Sequence, residues 1–348
     1  MVYICNVIKI VIPVFYVFLQ KNHIRVKIAK PFIKWVGGKG QLLPTLEKLL
    51  PPELNSWKEF TYIEPFIGGG AMLFFMLRTF GNIKRAVIND LNPDLINAYN
   101  TVKNMPSELV ERLVDMENEY LNGIREDERK DYYLSVREKF NTEKLSDVEN
   151  TACLIFLNKT CFNGLYRVNS KGAFNVPFGS YKHPTICDSD TIYADSELLQ
   201  KVDIISGDFE QSENYLSDKT FVYFDPPYRP LDATSNFNSY SKEKFNDDEQ
   251  IRLKKYFDRL SAKGCMLMLS NSDCKGRNPE DTFFDDLYKD YVIERVYATR
   301  SVNANPNKRG KLTELLIRNY SDKGLNMVQC QEKYFQQYYE QNLFHETV

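Results

Sequence analysis

This sequence is poor in histidine and has neither a closely spaced cysteine pair nor a net positive charge. Three histidines and seven cysteines (Cys5, Cys153, Cys161, Cys187, Cys265, Cys274 and Cys330) occur in 348 residues, and no two cysteines form a C-x-x-C pair. That argues against a zinc site of ordinary spacing and against a disulfide framework, and it fits a reducing cytosol. No Gly-Lys-Ser/Thr loop is present, so a bound triphosphate is not indicated. Long apolar runs are scarce too. Residues 2–19 are strongly apolar, but Asn6, Lys9 and Pro13 interrupt them and no small-residue cleavage site follows. The stretch is too broken for a membrane helix or a signal peptide. An added N-terminal strand, or a start codon placed upstream of the true one, is the expected reading.

What is there is an ordinary globular chain, 43% hydrophobic and 26% charged, long enough for one large domain or two moderate ones. The net charge of −2 argues at first against a nucleic-acid partner, but its distribution argues for one. Residues 150–187 contain no acid, while Lys159, Arg167, Lys171 and Lys182 fall there. Residues 25–46 carry five basic side chains and no acid, and residues 295–318 carry six against Glu314 alone. Residues 104–149, by contrast, hold 13 acids. Screening limits each charge to about 8 Å at physiological salt, so a protein that meets a polyanion needs only one basic face.

Strand-like runs recur at 62–64, 86–89, 202–206, 221–224, 265–269, 291–297 and 312–317, each closing on polar or glycine residues. Helical patterns lie at 41–50, 71–80 and 248–260. In the last of these Ile251, Leu253, Tyr256, Phe257 and Leu260 outline one apolar face. Strands alternating with helices imply a mainly parallel sheet covered on both sides, with ligands bound beyond the carboxyl ends of its strands. Residues 106–158 read as helices, and 160–182 as an aromatic, glycine-punctuated hairpin. Together they break the alternation as an inserted second small domain.

Three segments carry the chemistry. Glu64-Pro65-Phe66-Ile67-Gly68-Gly69-Gly70 lies between a strand and a helix, where glycines let the backbone approach a ligand and helix N–H groups are unpaired. Asp90 ends the next strand, 20 residues beyond Gly70, where a carboxylate accepts hydrogen bonds from ribose hydroxyls. A nucleoside without phosphates, such as S-adenosylmethionine, fits this pair. In Lys34-Trp35-Val36-Gly37-Gly38-Lys39, the lysine at 39 suits a carboxylate and Trp35 a sulfonium. In Phe221-Val222-Tyr223-Phe224-Asp225-Pro226-Pro227-Tyr228, an apolar strand stops at an acid and two prolines that cannot continue a ladder. Adenine N6 is a poor nucleophile because its lone pair is delocalised into the ring. The Asp225 carboxylate and the Pro226 carbonyl offer two acceptors for the amino hydrogens, and Tyr228 offers a face for the base. No metal is required.

The order of these motifs, with Gly207-Asp208-Phe209 between them, resembles the Dam-type adenine-specific DNA methyltransferases (D12 class, alpha group) over residues 31–320. The resemblance implies a class I, Rossmann-like methyltransferase fold, α/β with a seven-stranded and mostly parallel sheet. It implies a catalytic domain at 31–103 and 191–320, a target-recognition domain at 104–190, an N-terminal extension at 1–30 and a tail at 321–348. Trp35, Lys39, Phe66, Gly68, Gly69, Gly70, Asp90, Asp208, Phe209 and Asp225 match cofactor-binding positions. Asp225, Pro226 and Tyr228 match the catalytic motif. In the hairpin, Arg167 would reach a guanine edge, Leu165 and Pro177 neighbouring bases, and Phe162 would wedge into the stack, while Lys34 would meet the first base. Ser180 departs from the arginine common in relatives, which puts a phosphate contact in doubt.

The expected activity is methyl transfer from S-adenosylmethionine to N6 of a flipped adenine in double-stranded DNA, with GATC as the site. The expected setting is a cytoplasmic monomer on DNA, away from membranes, with a separately acting restriction endonuclease as a compatible companion. RNA adenine or protein glutamine methylation, and a catalytically inactive DNA-binding module, are the rival readings. The aspartate at 225 favours adenine over an amide substrate.

Overall fold

The computed structural model describes residues 28–231, 245–299 and 311–320. The apolar N-terminal stretch and the tail beyond 320 lie outside them. Seven strands form one sheet: β1 (Phe60–Glu64), β2 (Ile83–Asp90), β3 (Val202–Ser206), β4 (Thr220–Phe224), β5 (Met266–Ser272), β6 (Val292–Thr299) and β7 (Lys311–Arg318). Their order is β3-β2-β1-β4-β5-β7-β6. The first five are parallel, and β7 enters antiparallel between β5 and β6. All seven expected strands are present, and the mostly parallel sheet is that of a class I methyltransferase.

Alternation along the strands sorts the core into two layers. Tyr62, Ala86, Ile88, Phe221, Tyr223 and Met268 face one side of the sheet, and Ile63, Val87, Val222, Phe224, Leu267 and Leu269 the other. The second face is covered by α8 (Asp247–Ala262), whose buried Leu253, Tyr256, Phe257 and Leu260 follow the expected stripe. Against the first pack α2 (Ala71–Thr79), α3 (Pro93–Asn104) and α7 (Ser189–Leu199).

The expected helix at 41–50 is shorter, a 3-10 turn (Lys39–Gln41) followed by α1 (Leu43–Lys48), with Pro44 in its first turn. Neither α3 nor α7 is among the expected helices. Their caps explain them: the Asn92 side chain accepts from the N–H of Asp94 and Leu95 with Pro93 next to it, and Asp188 accepts from Thr191.

The inserted helices are α4 (Pro106–Asn118), α5 (Arg129–Thr142) and α6 (Asp147–Thr160). Their buried Leu113, Tyr133 and Phe156 join the same core as the first sheet face, so apolar packing runs without a break from sheet to insert. The hairpin after α6 is less regular than its sequence suggests. Antiparallel pairing is confined to two isolated bridges, Cys161 with Phe178 and Val168 with Phe174. The arms do exchange Asn169 N–H to the Ala173 carbonyl at 2.9 Å and Asn175 N–H to the Arg167 carbonyl at 3.0 Å, and the outward-facing groups of the second arm turn to α5. Asn141 of α5 accepts from the Phe174 N–H at 2.8 Å and donates to its carbonyl at 3.0 Å, and the Tyr133 hydroxyl donates to the Val176 carbonyl at 2.7 Å. Helix side chains, and not an opposing strand, satisfy this edge.

Candidate active site

The chain leaves β1 toward β2 on one side and later returns to place β4 on the other, so the crevice of the sheet opens beyond the ends of β1 and β4. Glu64, Asp90, Asp208 and Asp225 each sit at or just after the carboxyl end of a strand in this region.

The glycine loop after β1 is laid against an aromatic wall. Gly68 and Gly70 have φ of +48° and +73°, values that disfavour any side chain. A Cβ on Gly68 would stand 2.9 Å from the Trp35 ring, and one on Gly70 would collide with the Tyr99 hydroxyl. The Tyr99 hydroxyl donates to the Gly68 carbonyl at 3.1 Å. Gly69 also backs onto Trp35, whose indole stacks on Tyr166 of the hairpin at 4.9 Å. Asp90 ends β2 with its carboxylate accepting from the N–H of Gly68 (3.2 Å) and Asn92 (2.9 Å). Burial pushes its carboxyl upward, and these backbone donors oppose the shift.

Phe66 meets Phe209 at 5.3 Å and Phe245 at 5.6 Å, making an apolar side to the crevice. Asp208 is held by Arg252 of α8 through two hydrogen bonds of 3.0 and 2.7 Å, and that guanidinium lies 4.1 Å over the Phe209 ring. The bond to Arg252 keeps the Asp208 carboxyl below its ordinary range. Glycine cradle, buried carboxylate at Asp90 and aromatic side together suit a nucleoside without phosphates.

At the end of β4 the buried strand becomes polar. Lys39, only 5% exposed, places its ammonium 2.8 Å from Asp225 Oδ1, 2.6 Å from the Gly37 carbonyl and 4.6 Å from the centre of the Tyr228 ring. Burial pushes the Asp225 carboxyl upward and Lys39 opposes it. Among the described residues none donates a hydrogen bond to the Pro226 carbonyl. Behind the motif, buried Gln250 donates to the Pro227 carbonyl at 3.1 Å, and Asn271 accepts from the Arg229 N–H at 3.2 Å. The Tyr228 hydroxyl donates to Glu314 Oε2 at 2.8 Å.

Glu64 is 2% exposed, accepts from the Tyr62 hydroxyl at 2.6 Å, and is pushed well upward by burial. Sequence reasoning missed Glu64, Arg252, Gln250, Asn271 and Glu314 as members of this site. Only Glu64 had a local signal, as the first residue of its own motif.

The hairpin residues form a second group. Asn158 clasps Lys34, accepting from its N–H at 2.8 Å and donating to its carbonyl at 2.9 Å and to that of Gly164 at 3.1 Å. Lys34, Phe162, Arg167 and Pro177 are exposed, with Phe162 at 52%. The Phe162 N–H donates to the Pro177 carbonyl at 2.8 Å. Arg167 rests on Asn175, at 2.8 Å to its side chain and 3.0 Å to its carbonyl. Leu165 is partly buried against the core. Ser180, at the departure from relatives, has φ of +53°. The Trp35–Tyr166 stack joins this group to the crevice.

The family model for D12 class N6 adenine-specific DNA methyltransferases matches residues 35–302. The chain belongs to this family. It is 48% identical over 294 residues to "Type II methyltransferase M.MjaIII" of Methanocaldococcus jannaschii, covering 84% of this chain and 99% of that protein. "Type II methyltransferase M1.LlaDCHI" of Lactococcus lactis subsp. cremoris is 43% identical, covering 87% and 99%. "DNA adenine methylase" of Escherichia coli (strain K12) is 32% identical, covering 82% and 94%.

Proposed function

We propose that the protein transfers a methyl group from S-adenosylmethionine to N6 of an adenine turned out of double-stranded DNA, with GATC as the recognition site. The observation that carries this reading is the end of β4. There a carboxylate aligned by Lys39 and a Pro226 carbonyl without a donor among the described residues stand beside an aromatic face.

When bound, S-adenosylmethionine supplies an electrophilic methyl group. Trp35, Lys39, Phe66, Gly68, Gly69, Gly70, Asp90, Asp208 and Phe209 would hold it. The protein's own part is to make N6 nucleophilic. Asp225 accepts one amino hydrogen and Pro226 the other, which favours a pyramidal nitrogen with its lone pair aimed away from the ring. Lys39 favours the ionised form of Asp225 against the effect of burial, and Asp225 takes the released proton at its carboxylate as the product forms. The pre-set backbone and the nearby cation add positioning and charge stabilisation. Tyr228 stacks on the base, helping to offset the few kcal/mol that unstacking costs.

Exposed Phe162, Arg167, Pro177 and Lys34 are the side chains offered to DNA, with Leu165 behind them. Arg167 is the proposed reader of guanine, and Phe162 the proposed wedge. The protein acts as a monomer on DNA in a reducing cytoplasm. The names of two relatives as Type II methyltransferases support a companion restriction endonuclease that acts separately.

The test is product analysis. Wild-type protein with cofactor and duplex DNA yields N6-methyladenine, and Asp225→Ala yields none while still binding the duplex. A different methylated product, or activity kept by Asp225→Ala, contradicts the reading.

A further inference from the structure

Tyr228 carries one hydroxyl proton, and its ring shares a neighbour with Asp225. The hydroxyl donates to Glu314 Oε2 at 2.8 Å, while the Lys39 ammonium lies 2.8 Å from Asp225 Oδ1 and 4.6 Å from the centre of the Tyr228 ring. Glu314 comes from β7, where it pairs in register with Ser272 of β5, so the sheet itself delivers it to the catalytic loop. The phenol stays protonated, because burial and both carboxylates raise its pKa far above the ordinary value. Asp225 already has Oδ1 engaged by Lys39 at 2.8 Å. A phenol turned toward Asp225 would compete with a substrate amine for the acceptor sites that Lys39 leaves on that carboxylate.

We propose that Glu314 is a positioning residue for methyl transfer: by accepting the Tyr228 hydroxyl hydrogen bond it directs that donor away from Asp225 and leaves the carboxylate to the amino group of the target base. This rests on Asp225 being the acceptor of the amino hydrogen, as argued above. Glu314 touches neither base nor cofactor and acts through Tyr228. The ring is held at its other side by the Lys39 ammonium 4.6 Å from its centre. Lys39 thus contacts both Asp225 and the Tyr228 ring, and Glu314 takes the phenol hydrogen bond.

The experiment is a double-mutant cycle read as kcat at saturating DNA and cofactor, with cofactor Kd and thermal midpoint measured on each variant. E314A is expected to lose about tenfold or more in kcat, the worth of one hydrogen bond to a charged group, with cofactor Kd unchanged. E314Q still offers an amide oxygen and is expected to stay within about threefold of wild type. Y228F has no proton to misdirect, so E314A/Y228F is expected to match Y228F alone. The inference is overturned if E314A turns over like wild type, if its loss multiplies with that of Y228F, or if E314Q loses as much as E314A. A fall in kcat matched by a fall in thermal midpoint or in cofactor affinity also overturns it, since that marks a structural role. Failure of the parent reading looks different: the wild-type protein itself would make no N6-methyladenine, whatever the variants do.

Discussion

The two halves of the segment 104–190 differ in charge and in how each handles it. Residues 104–149 hold 13 acids, and their key cations are engaged within the protein. Arg112 meets Glu149 through bonds of 2.6 and 2.9 Å, and Lys139 reaches the same carboxylate at 2.6 Å. Arg129 is buried and donates to the carbonyls of Tyr120, Leu121 and Lys182. Residues 150–187 hold no acid. Among the described residues Lys159, Arg167, Lys171 and Lys182 form no ion pair with a carboxylate, and Arg167 leans only on Asn175. One half is closed electrostatically and serves as a support. The other is, on the proposed function, the half that meets the polyanion. Lys159 is the partly buried member of the set: burial lowers its pKa, Asp188 opposes that, and the charges of Lys30 and Lys34 add to the lowering.

That contrast is open to breakage at both ends. Arg167→Ala is expected to cost about 1–3 kcal/mol of discrimination between GATC and a duplex altered at the guanine. It should leave the thermal midpoint nearly unmoved, because an exposed side chain off the core changes stability by less than about 0.5 kcal/mol. Paired binding titrations and thermal melts measure both. If Arg167→Ala melts early and discriminates normally, the hairpin is a structural element and the contrast fails.

The smaller effect is expected in the acidic half. The Arg112 guanidinium and the Lys139 ammonium, against the cost of burial, hold the Glu149 carboxyl down to about 2. A carboxyl lowered on folding contributes stability that is complete above its ordinary pKa near 4.5 and is lost as pH falls from there toward about 2. E149Q keeps part of the hydrogen bonding and should therefore cost about 1–2 kcal/mol at neutral pH. The gap to wild type should narrow through that acid window, while DNA discrimination stays unchanged. Denaturant melts at several pH values decide it, and a gap independent of pH would mean that the ion pair is not what holds these helices together.

The sheet was legible because each strand is an apolar run that stops at a residue unable to continue it, as Phe224 stops at Asp225-Pro226-Pro227. The glycine loop after β1 and the turn at 225–228 were legible for the same reason. Helix α3 was not, since Asn97, Asn100 and Asn104 dilute its apolar face, although the Asn92-Pro93-Asp94 cap was there to be read. Glu314 and Arg252 were beyond reach of local reading. They meet Tyr228 and Asp208 across 86 and 44 residues, through strand register and a helix face that no short motif encodes. Local reading also could not show that Asn141 and Tyr133, on another element, hold the outer edge of the hairpin's second arm.

The most direct test of the central claim uses wild-type protein, labelled S-adenosylmethionine and two duplexes that differ only in whether GATC is present. Label is expected in N6-methyladenine of the GATC duplex, with little in the other. Equal incorporation into both would contradict the assignment of site reading to the hairpin.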